Sequence, residues 1–343
     1  MIRIQNIYYM LAYAFQVLHE QGYKDVATED FENTAELLSA ILCRGVSVQI
    51  KRGLCRQYIT NEEPLGSPRG KIEIGESIKT QAIRKKQLVC AYDEFSVDAY
   101  TNRIIKTTME LLLRASISKT RKKELRKLLI FFDGVSVLDT HNINWDIQYD
   151  RNNQTYRMII EVCHLVIKGL LQTSADGSTR IMDYADDQTM AKLYEKFILG
   201  YFQREHTDIK AYSPQIAWQV TDGYRTLLPT MQSDIVISNK KTKKTLIIDA
   251  KYYSHNMQMK APYMTQTLHS GNLYQIFTYV KNWNAAPDET ISGMLLYART
   301  DDAIQPDNDY QMSGNQISVK TLDLNCEFAV IAAQLDAIAE RIK

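Results

Sequence analysis

The sequence predicts an α/β protein: a mixed sheet flanked by helices in the C-terminal half, preceded by a mostly helical part with a small β-rich insertion. Three observations predict it. In the second half the hydrophobic spacing runs helix, strand, strand, strand, helix, strand, and a mixed sheet between helices is the packing this order favours. In the first half apolar residues recur at steps of three and four. Between those stretches, IKRGLCRQYITNEEPLGSPRGKIEIG is cut by Gly and Pro into short alternating pieces.

The first helix is expected over about 4–19, where Ile4, Ile7, Tyr8, Leu11, Phe15 and Leu18 form one stripe. ENTAELLSAILCRGVS reads as a second helix. The β-rich insertion is placed at about 48–76, with a protruding loop around Leu65–Gly70. Helical spacing returns at Thr101, with Ile104, Thr108, Leu111 and Leu112 on one face, and SKTRKKELRKLLIFF opens a basic amphipathic helix. The run Lys119–Lys127 within it reads as a solvated face, with phosphate contact as the sharper alternative. Residues 141–153 are polar and poorly periodic, which puts a boundary near 145–155 and gives domains of 1–150 and 151–343. The second half opens with a helix at about 188–204, carrying Met190, Leu193, Tyr194, Phe197, Ile198 and Tyr201 on one face. Strands follow at about 209–220, 232–238 and 244–252, then a helix at 270–283 and a strand at 291–298. A strand at 315–322 and a helix at 326–342 close the chain.

Composition excludes more than it selects. The 343 residues are 45% hydrophobic and 24% charged, enough apolar material for a large core. Lys and Arg number 41 against 40 for Asp and Glu, so net charge does not point to nucleic acid and any basic surface must be local. The 5 cysteines include no CxxC pair, which argues against a disulfide framework and fits a reducing cytoplasm. The apolar start carries Tyr8, Tyr9 and Tyr13 and no small-residue cleavage site, unlike a signal peptide. No apolar run is long enough to span a bilayer, so no membrane association is expected. The 6 histidines lack ligand spacing, which argues against zinc. No GxxxxGK[ST] loop occurs, so the chain itself is expected to bind no nucleotide.

The chemistry-bearing stretch is TLIIDAKYY, residues 245–253, where an interior strand runs into an acid and a lysine two positions apart. Burying either charge is costly unless it is paired or holds a metal. The preceding strand, QSDIVIS, is joined to it by NKKTKK, and a hairpin folded about Lys241–Thr242 pairs residues whose numbers sum to 483. That register sets Asp234 opposite Asp249, while strand alternation puts Lys251 on the same face. Two carboxylates so close repel, and a shared proton or a hard divalent cation resolves the conflict. Mg²⁺ suits oxygen ligands, and a neighbouring lysine can orient an attacking water and steady phosphate charge. A strand-end ion pair is the competing reading of Asp249 and Lys251. Glu195 sits on the shoulder of the apolar stripe of the 188–204 helix and could reach the same spot, or be an ordinary solvated glutamate. Gln275 and Tyr279 are four apart and, with Asn272, lie off the stripe of Leu273, Ile276, Phe277 and Val280; a solvent-facing polar surface is the alternative. Lys240, Lys241, Lys243 and Lys244 in the hairpin turn are candidate DNA-backbone contacts.

Asp234 followed by Asp249-Ala250-Lys251 on an α-β-β-β-α-β core resembles the PD-(D/E)xK nuclease superfamily. Leu193-Tyr194-Glu195 is similar to its acid-bearing first helix, and Gln275-Ile276-Phe277-Thr278-Tyr279 to the QxxxY motif of several of its branches. The proline that usually precedes the first acid is Ser233 here. Further motifs, in order, resemble the McrC family of modification-dependent McrBC restriction systems. They are Asn6-Ile7-Tyr8-Tyr9-Met10-Leu11-Ala12-Tyr13-Ala14, Arg52-Gly53-Leu54, Arg69-Gly70-Lys71-Ile72-Glu73 and Asn102-Arg103-Ile104-Ile105-Lys106. Ile248–Tyr253 and Asn272-Leu273-Tyr274-Gln275 complete the set.

The resemblance implies a restriction-endonuclease-like core over 151–343 that cuts double-stranded DNA containing 5-methylcytosine with Mg²⁺, Mn²⁺ being an expected substitute. Asp234, Asp249, Glu195 and the Ala250 backbone carbonyl would hold the metal, and Lys251, Gln275 and Tyr279 would complete the catalytic set. The 1–150 part would dock on an AAA+ GTPase of the McrB type, stimulate its GTP hydrolysis and couple translocation to cutting, with Arg52, Arg69 and Lys71 as contact candidates. Two other functions stay open: a stand-alone nuclease for repair or phage defence, and a non-catalytic adaptor that activates an AAA+ motor.

Overall fold

The computed structural model describes residues 2–16, 29, 31–150, 153–176, 187–260 and 265–343. These form two compact units, one of Met1–Leu37 with Asp176–Lys343, the other of Leu38–Ala175. A single cut near 145–155 therefore does not describe the units. The reason is α1 (Ile4–Ala14), which buries Asn6, Ile7, Tyr8, Met10, Leu11, Ala12 and Tyr13, too many for a one-sided stripe. Of the first helix expected over 4–19, residues 17–19 lie outside the described residues.

The Leu38–Ala175 unit holds most of α2 (Thr34–Arg52), which carries Glu36 in its first turn and Lys51 and Arg52 in its last, complementing the helix dipole. The helix runs past the expected start of the β insertion because Val46 and Gln49 are still buried. The insertion is in turn larger than 48–76. It is a sheet of β1 (Gln57–Leu65), β2 (Lys71–Ile72) and, after the short α3 (Ile74–Lys79), β3 (Leu88–Ser96), in the order β1-β3-β2. The stretch LVCAYDEFS pairs antiparallel with β1 along its whole length, from Gln57↔Ser96 to Leu65↔Leu88. The unit continues with α4 (Tyr100–Arg114), the basic α5 (Lys119–Leu129) and α6 (Arg157–Asp176). In α5 only Leu125 is buried, and Lys119, Lys123, Arg126 and Lys127 form a solvated face, while the Arg121 side chain is largely covered beside Glu124.

The other unit is built on a six-stranded sheet. After α7 (Asp187–Glu205) come β4 (Lys210–Tyr212), β5 (Gln215–Ile216), β6 (Met231–Gln232), β7 (Ile235–Asn239) and β8 (Lys244–Lys251). The strand expected over 209–220 is split at Ser213–Pro214, where proline cannot donate to a ladder. A hairpin of β9 (Met257–Lys260) and β10 (Thr265–Leu268), absent from the expected order, precedes α8 (Ser270–Asn282). Then follow β11 (Thr290–Ala298), β12 (Asn308–Met312), β13 (Asn315–Leu322) and α9 (Phe328–Glu340). The sheet order is β12-β13-β11-β8-β7-β4. β11 runs parallel to both β8 and β13, with α8 as the β8-to-β11 crossover, and the remaining pairs are antiparallel.

Both faces of the central strands are buried, as a parallel centre demands. On one face Val236, Ile247, Leu295 and Val319 pack with Ile276, Tyr279 and Val280 of α8. On the other lie Leu246, Ile248, Ala250, Met294 and Leu296, all buried. There the Tyr194 hydroxyl of α7 donates to Leu296 O at 3.4 Å. α1 packs on α7 so closely that a Cβ at Gly200 would stand 2.3 Å from Tyr13 O. Around this crossing Tyr13 meets the rings of Phe197, Tyr201 and Phe328. Among the described residues no helix is long and apolar enough to cross a membrane.

Candidate functional site

The β7–β8 hairpin fixes the site. Its ladder runs from Ile235↔Ile248 to Asn239↔Lys244, so every pair sums to 483, the register expected from the turn. Asp234 stands one residue before the first pair and Asp249 one residue after it, on the same face as Val236 and Ile247. Asp249 is fully buried, and Lys251 Nζ lies 2.7 Å from its Oδ2. Yet neither carboxylate oxygen of Asp249 receives an aligned hydrogen bond from the protein. Asp234 is turned toward the strand, its Oδ2 accepting the Ala250 N–H at 2.9 Å.

A relay from α8 holds the lysine. Lys251 Nζ donates to Gln275 Oε1 at 3.2 Å, Gln275 Nε2 donates to the Tyr279 hydroxyl at 2.8 Å, and that hydroxyl donates to Gln232 O at 2.9 Å. The helical spacing of Gln275 and Tyr279 thus delivers two polar side chains onto the sheet rather than to solvent. A second network flanks the lysine. Tyr297, which pairs with Lys251 across β8 and β11, accepts from Asn272 Nδ2 at 2.9 Å, and the Tyr253 hydroxyl donates to Asn272 Oδ1 at 3.2 Å. The sequence reading gives no site role to Tyr297 or the Gln232 carbonyl, and includes Tyr253 only as the last residue of a motif. The LLYA ending of β11 hints at Tyr297, but its register to β8 crosses a whole helix and hairpin.

Burial dominates the electrostatics. It pushes the Asp249 carboxyl up to about 7 against the pull of Lys251, with Asp234 adding to the rise. Asp234 is raised by the same desolvation, opposed by Lys251 and the Ala250 N–H. Burial works against the Lys251 ammonium, but Asp249 and Asp234 hold it above the ordinary lysine value. Glu195 of α7 faces the same charges: burial and then Asp234 push it up to about 7, while Lys251 pulls it down. Asp249, Lys251, Gln275 and Tyr279 are therefore joined by direct contacts, Asp234 is tied to the same strand through the Ala250 N–H, and Glu195 is coupled to Asp234 and Lys251 through their charges. Among the described residues no group of three or more His, Cys, Asp or Glu side chains is arranged to hold a metal ion. The oxygen set at hand is the aspartate pair with the adjoining backbone, and the donorless Oδ1 of Asp249 is a buried acceptor suited to a cation.

Other expected contacts fall elsewhere. Lys240, Lys241 and Lys243 occupy the turn at the opposite end of the hairpin, and Lys244 opens β8 there, about 17 Å of strand from Asp249. They are not close to the acids, because a hairpin's turn and its open end lie a strand length apart. Lys243 pairs with Asp288. Arg52, Arg69 and Lys71 are exposed in the Leu38–Ala175 unit; the Arg69 guanidinium stacks over the Tyr92 ring at 4.4 Å, and Lys71 pairs with Glu73 at 2.6 Å.

Residues 4–298 match the family model described as McrBC 5-methylcytosine restriction system component. The chain is 30% identical over its whole length to a protein of Escherichia coli K12 described as type IV methyl-directed restriction enzyme EcoKMcrBC, covering 99% of it. Among solved structures it is similar to a chain in an assembly of Thermococcus gammatolerans McrB AAA+ hexamers with bound McrC. That match has 18% identity, covers 98% of this chain and 76% of that one, and has a TM-score of 0.47. A second match, in the McrBC complex of the same organism, has 21% identity, covers 59% of this chain and 58% of that one, and has a TM-score of 0.40.

Proposed function

This chain belongs to the family of McrBC 5-methylcytosine restriction system components, and from that membership and its buried acid–acid–lysine group we propose that it is the DNA-cutting subunit of such a system. The observation that carries the reading is the pair Asp234 and Asp249 on one face of a hairpin, with Lys251 2.7 Å from the buried Asp249. A purely structural ion pair has no need of a second carboxylate beside it, and full burial of an acid without aligned donors costs several kcal/mol. The order of α7, the strands, α8 and β11 supports a restriction-endonuclease-like core around it.

Asp234, Asp249 and the Ala250 carbonyl would hold Mg²⁺, with Glu195 close enough to share that field. When bound, the ion supplies polarisation of the scissile phosphate and acidification of a water. Lys251 orients the attacking water and steadies charge on the phosphate as hydrolysis adds the elements of water across a P–O bond. Gln275, locked by Tyr279, keeps the ammonium at that spot. The partner is an AAA+ GTPase of the McrB type, docked on the Leu38–Ala175 unit, whose GTP hydrolysis the chain stimulates. Recognition of modified cytosine belongs to that partner.

A cleavage assay on cytosine-methylated plasmid with Mg²⁺, run with and without the AAA+ partner and GTP, tests the proposal. Wild type is expected to cut only with partner and GTP, and Asp249→Ala to abolish cutting while still raising GTP hydrolysis. Cutting by the chain alone would make it a stand-alone nuclease. Stimulated GTP hydrolysis with no cutting by wild type would make it an adaptor with structural acids.

A further inference from the structure

The loop between β5 and β6 is built rigidly but inside out. Its base is pinned twice. The Trp218 ring packs on the core under α8 and its Nε1–H donates to Pro229 O at 2.6 Å, while Gln219 N–H donates to Asn282 Oδ1 at 2.8 Å, at the end of the helix that carries Gln275 and Tyr279. Within the loop, Tyr224 N–H donates to Asp222 Oδ1 at 3.0 Å and Leu228 N–H to Arg225 O at 3.3 Å. Closed loops of this kind ordinarily pack their apolar side chains beneath themselves. Here they face solvent: Leu227 is 95% exposed, Tyr224 68% and Leu228 40%. Leu227 also has a φ of 67°, a left-handed conformation that a bulky side chain disfavours, and such outliers gather at binding sites. The returning arm runs through β6 directly into Asp234, and Gln232 of that arm anchors the Tyr279 hydroxyl.

We propose that this loop is a wedge for duplex DNA, with Leu227 entering a base step beside the phosphate held at the acids. Tyr224 and Leu228 lie against the sugars, and Arg225 takes a flanking phosphate. The inference rests on the nuclease reading and adds how that site grips its substrate. Apolar wedges of this kind unstack one step, a cost recovered in new contacts. Three side chains suffice for one base step, whereas a stable protein interface needs about 1,000 Å² or more. Continuity with Asp234 makes DNA the occupant.

The test uses the full chain assembled with its AAA+ partner and duplexes carrying 2-aminopurine at successive steps across the cut site, with Ca²⁺ in place of Mg²⁺. Wild type is expected to raise the fluorescence severalfold at one step. Leu227→Gly, which suits the backbone conformation, loses that rise and binds the duplex about 10-fold more weakly with an unchanged Tm, a loss of about 1.4 kcal/mol. Leu227→Met retains both. Equal fluorescence and affinity in wild type and Leu227→Gly would overturn the wedge, as would loss of partner assembly in place of DNA affinity. If those results appear while Asp249→Ala still abolishes Mg²⁺-dependent cutting, only the wedge fails. If wild type neither binds duplex nor cuts it, the nuclease reading falls and the wedge with it.

Discussion

Gln275 and Tyr279, one turn apart on α8, share a 2.8 Å hydrogen bond that leaves the Gln275 carbonyl oxygen facing Lys251. The amide cannot turn its nitrogen to the lysine without losing the tyrosine. Tyr279 thus acts on the ammonium at one remove.

Gln275→Ala is accordingly expected to lower the cleavage rate by about 10–100-fold, and Tyr279→Phe by about 10-fold or less, the range seen for supporting contacts behind catalytic groups. Single-turnover rates across pH separate this from a folding defect. If the relay positions the ammonium, both variants lose rate while duplex affinity holds. An effect on affinity alone would contradict it.

Lys251→Met should lose on the order of 10³-fold in rate, comparable to removing an electrostatic stabiliser, and Lys251→Arg should recover little, because a guanidinium does not fit a site shaped between Asp249 and Gln275. Cleavage close to wild type in Lys251→Arg would mean that only charge matters there.

Glu195 gives a pH signature. Its folded-state carboxyl is raised to about 7, so the folded protein holds that proton more tightly than the unfolded chain does. Stability contributed by the protonated form is therefore present near pH 5 and is lost as pH rises toward and through 7. Glu195→Gln, which mimics the protonated acid, should melt like wild type near pH 5 and a few degrees higher at pH 8 without metal. Parallel melting curves at both pH values would show that Glu195 is not perturbed.

Two glycines should respond unequally to alanine. A Cβ at Gly200 meets the Tyr13 carbonyl at 2.3 Å, which only separation of α1 and α7 can relieve. At Gly293 it meets side-chain atoms of Val280, Ile276 and Ile317 at 2.8 to 2.9 Å, with no backbone atom among them. Gly200→Ala should cost about 2–3 kcal/mol and Gly293→Ala about 1–2 kcal/mol, readable as urea midpoints with unchanged slope.

Alanine at both Lys240 and Lys241 should leave the cleavage rate unchanged, since the turn is a strand length from Asp249. A rate loss of tenfold or more, with a shallower salt dependence, would instead bring DNA across that end of the hairpin.

The hairpin was the most legible part of the chain because its information is local. Four lysines crowd the turn, both arms are short apolar runs, and the register of Asp234 and Asp249 follows from counting. The helix pair Gln275 and Tyr279 was legible as a shared face, but which way that face looked depended on the sheet beneath it. Tyr297 was beyond reach, since its approach to Lys251 depends on a parallel register set by packing and not by a turn, and the bond from Tyr253 to Asn272 depends on how α8 lies on the sheet. The unit boundary failed for a related reason: polar, aperiodic residues near 145–155 look like a linker, while nothing local in α1 says that its partner is α7.

That partnership has a consequence during synthesis. α1 leaves the ribosome roughly 190 residues before α7 is complete, and at 5–20 residues per second the delay is on the order of 10–40 s. For that time Ile7, Met10, Leu11 and Tyr13 have no finished surface to cover them, while the Leu38–Ala175 unit emerges and can fold. Through that interval the nascent chain carries α1 as an uncovered apolar helix, which makes it a segment where a chaperone is needed.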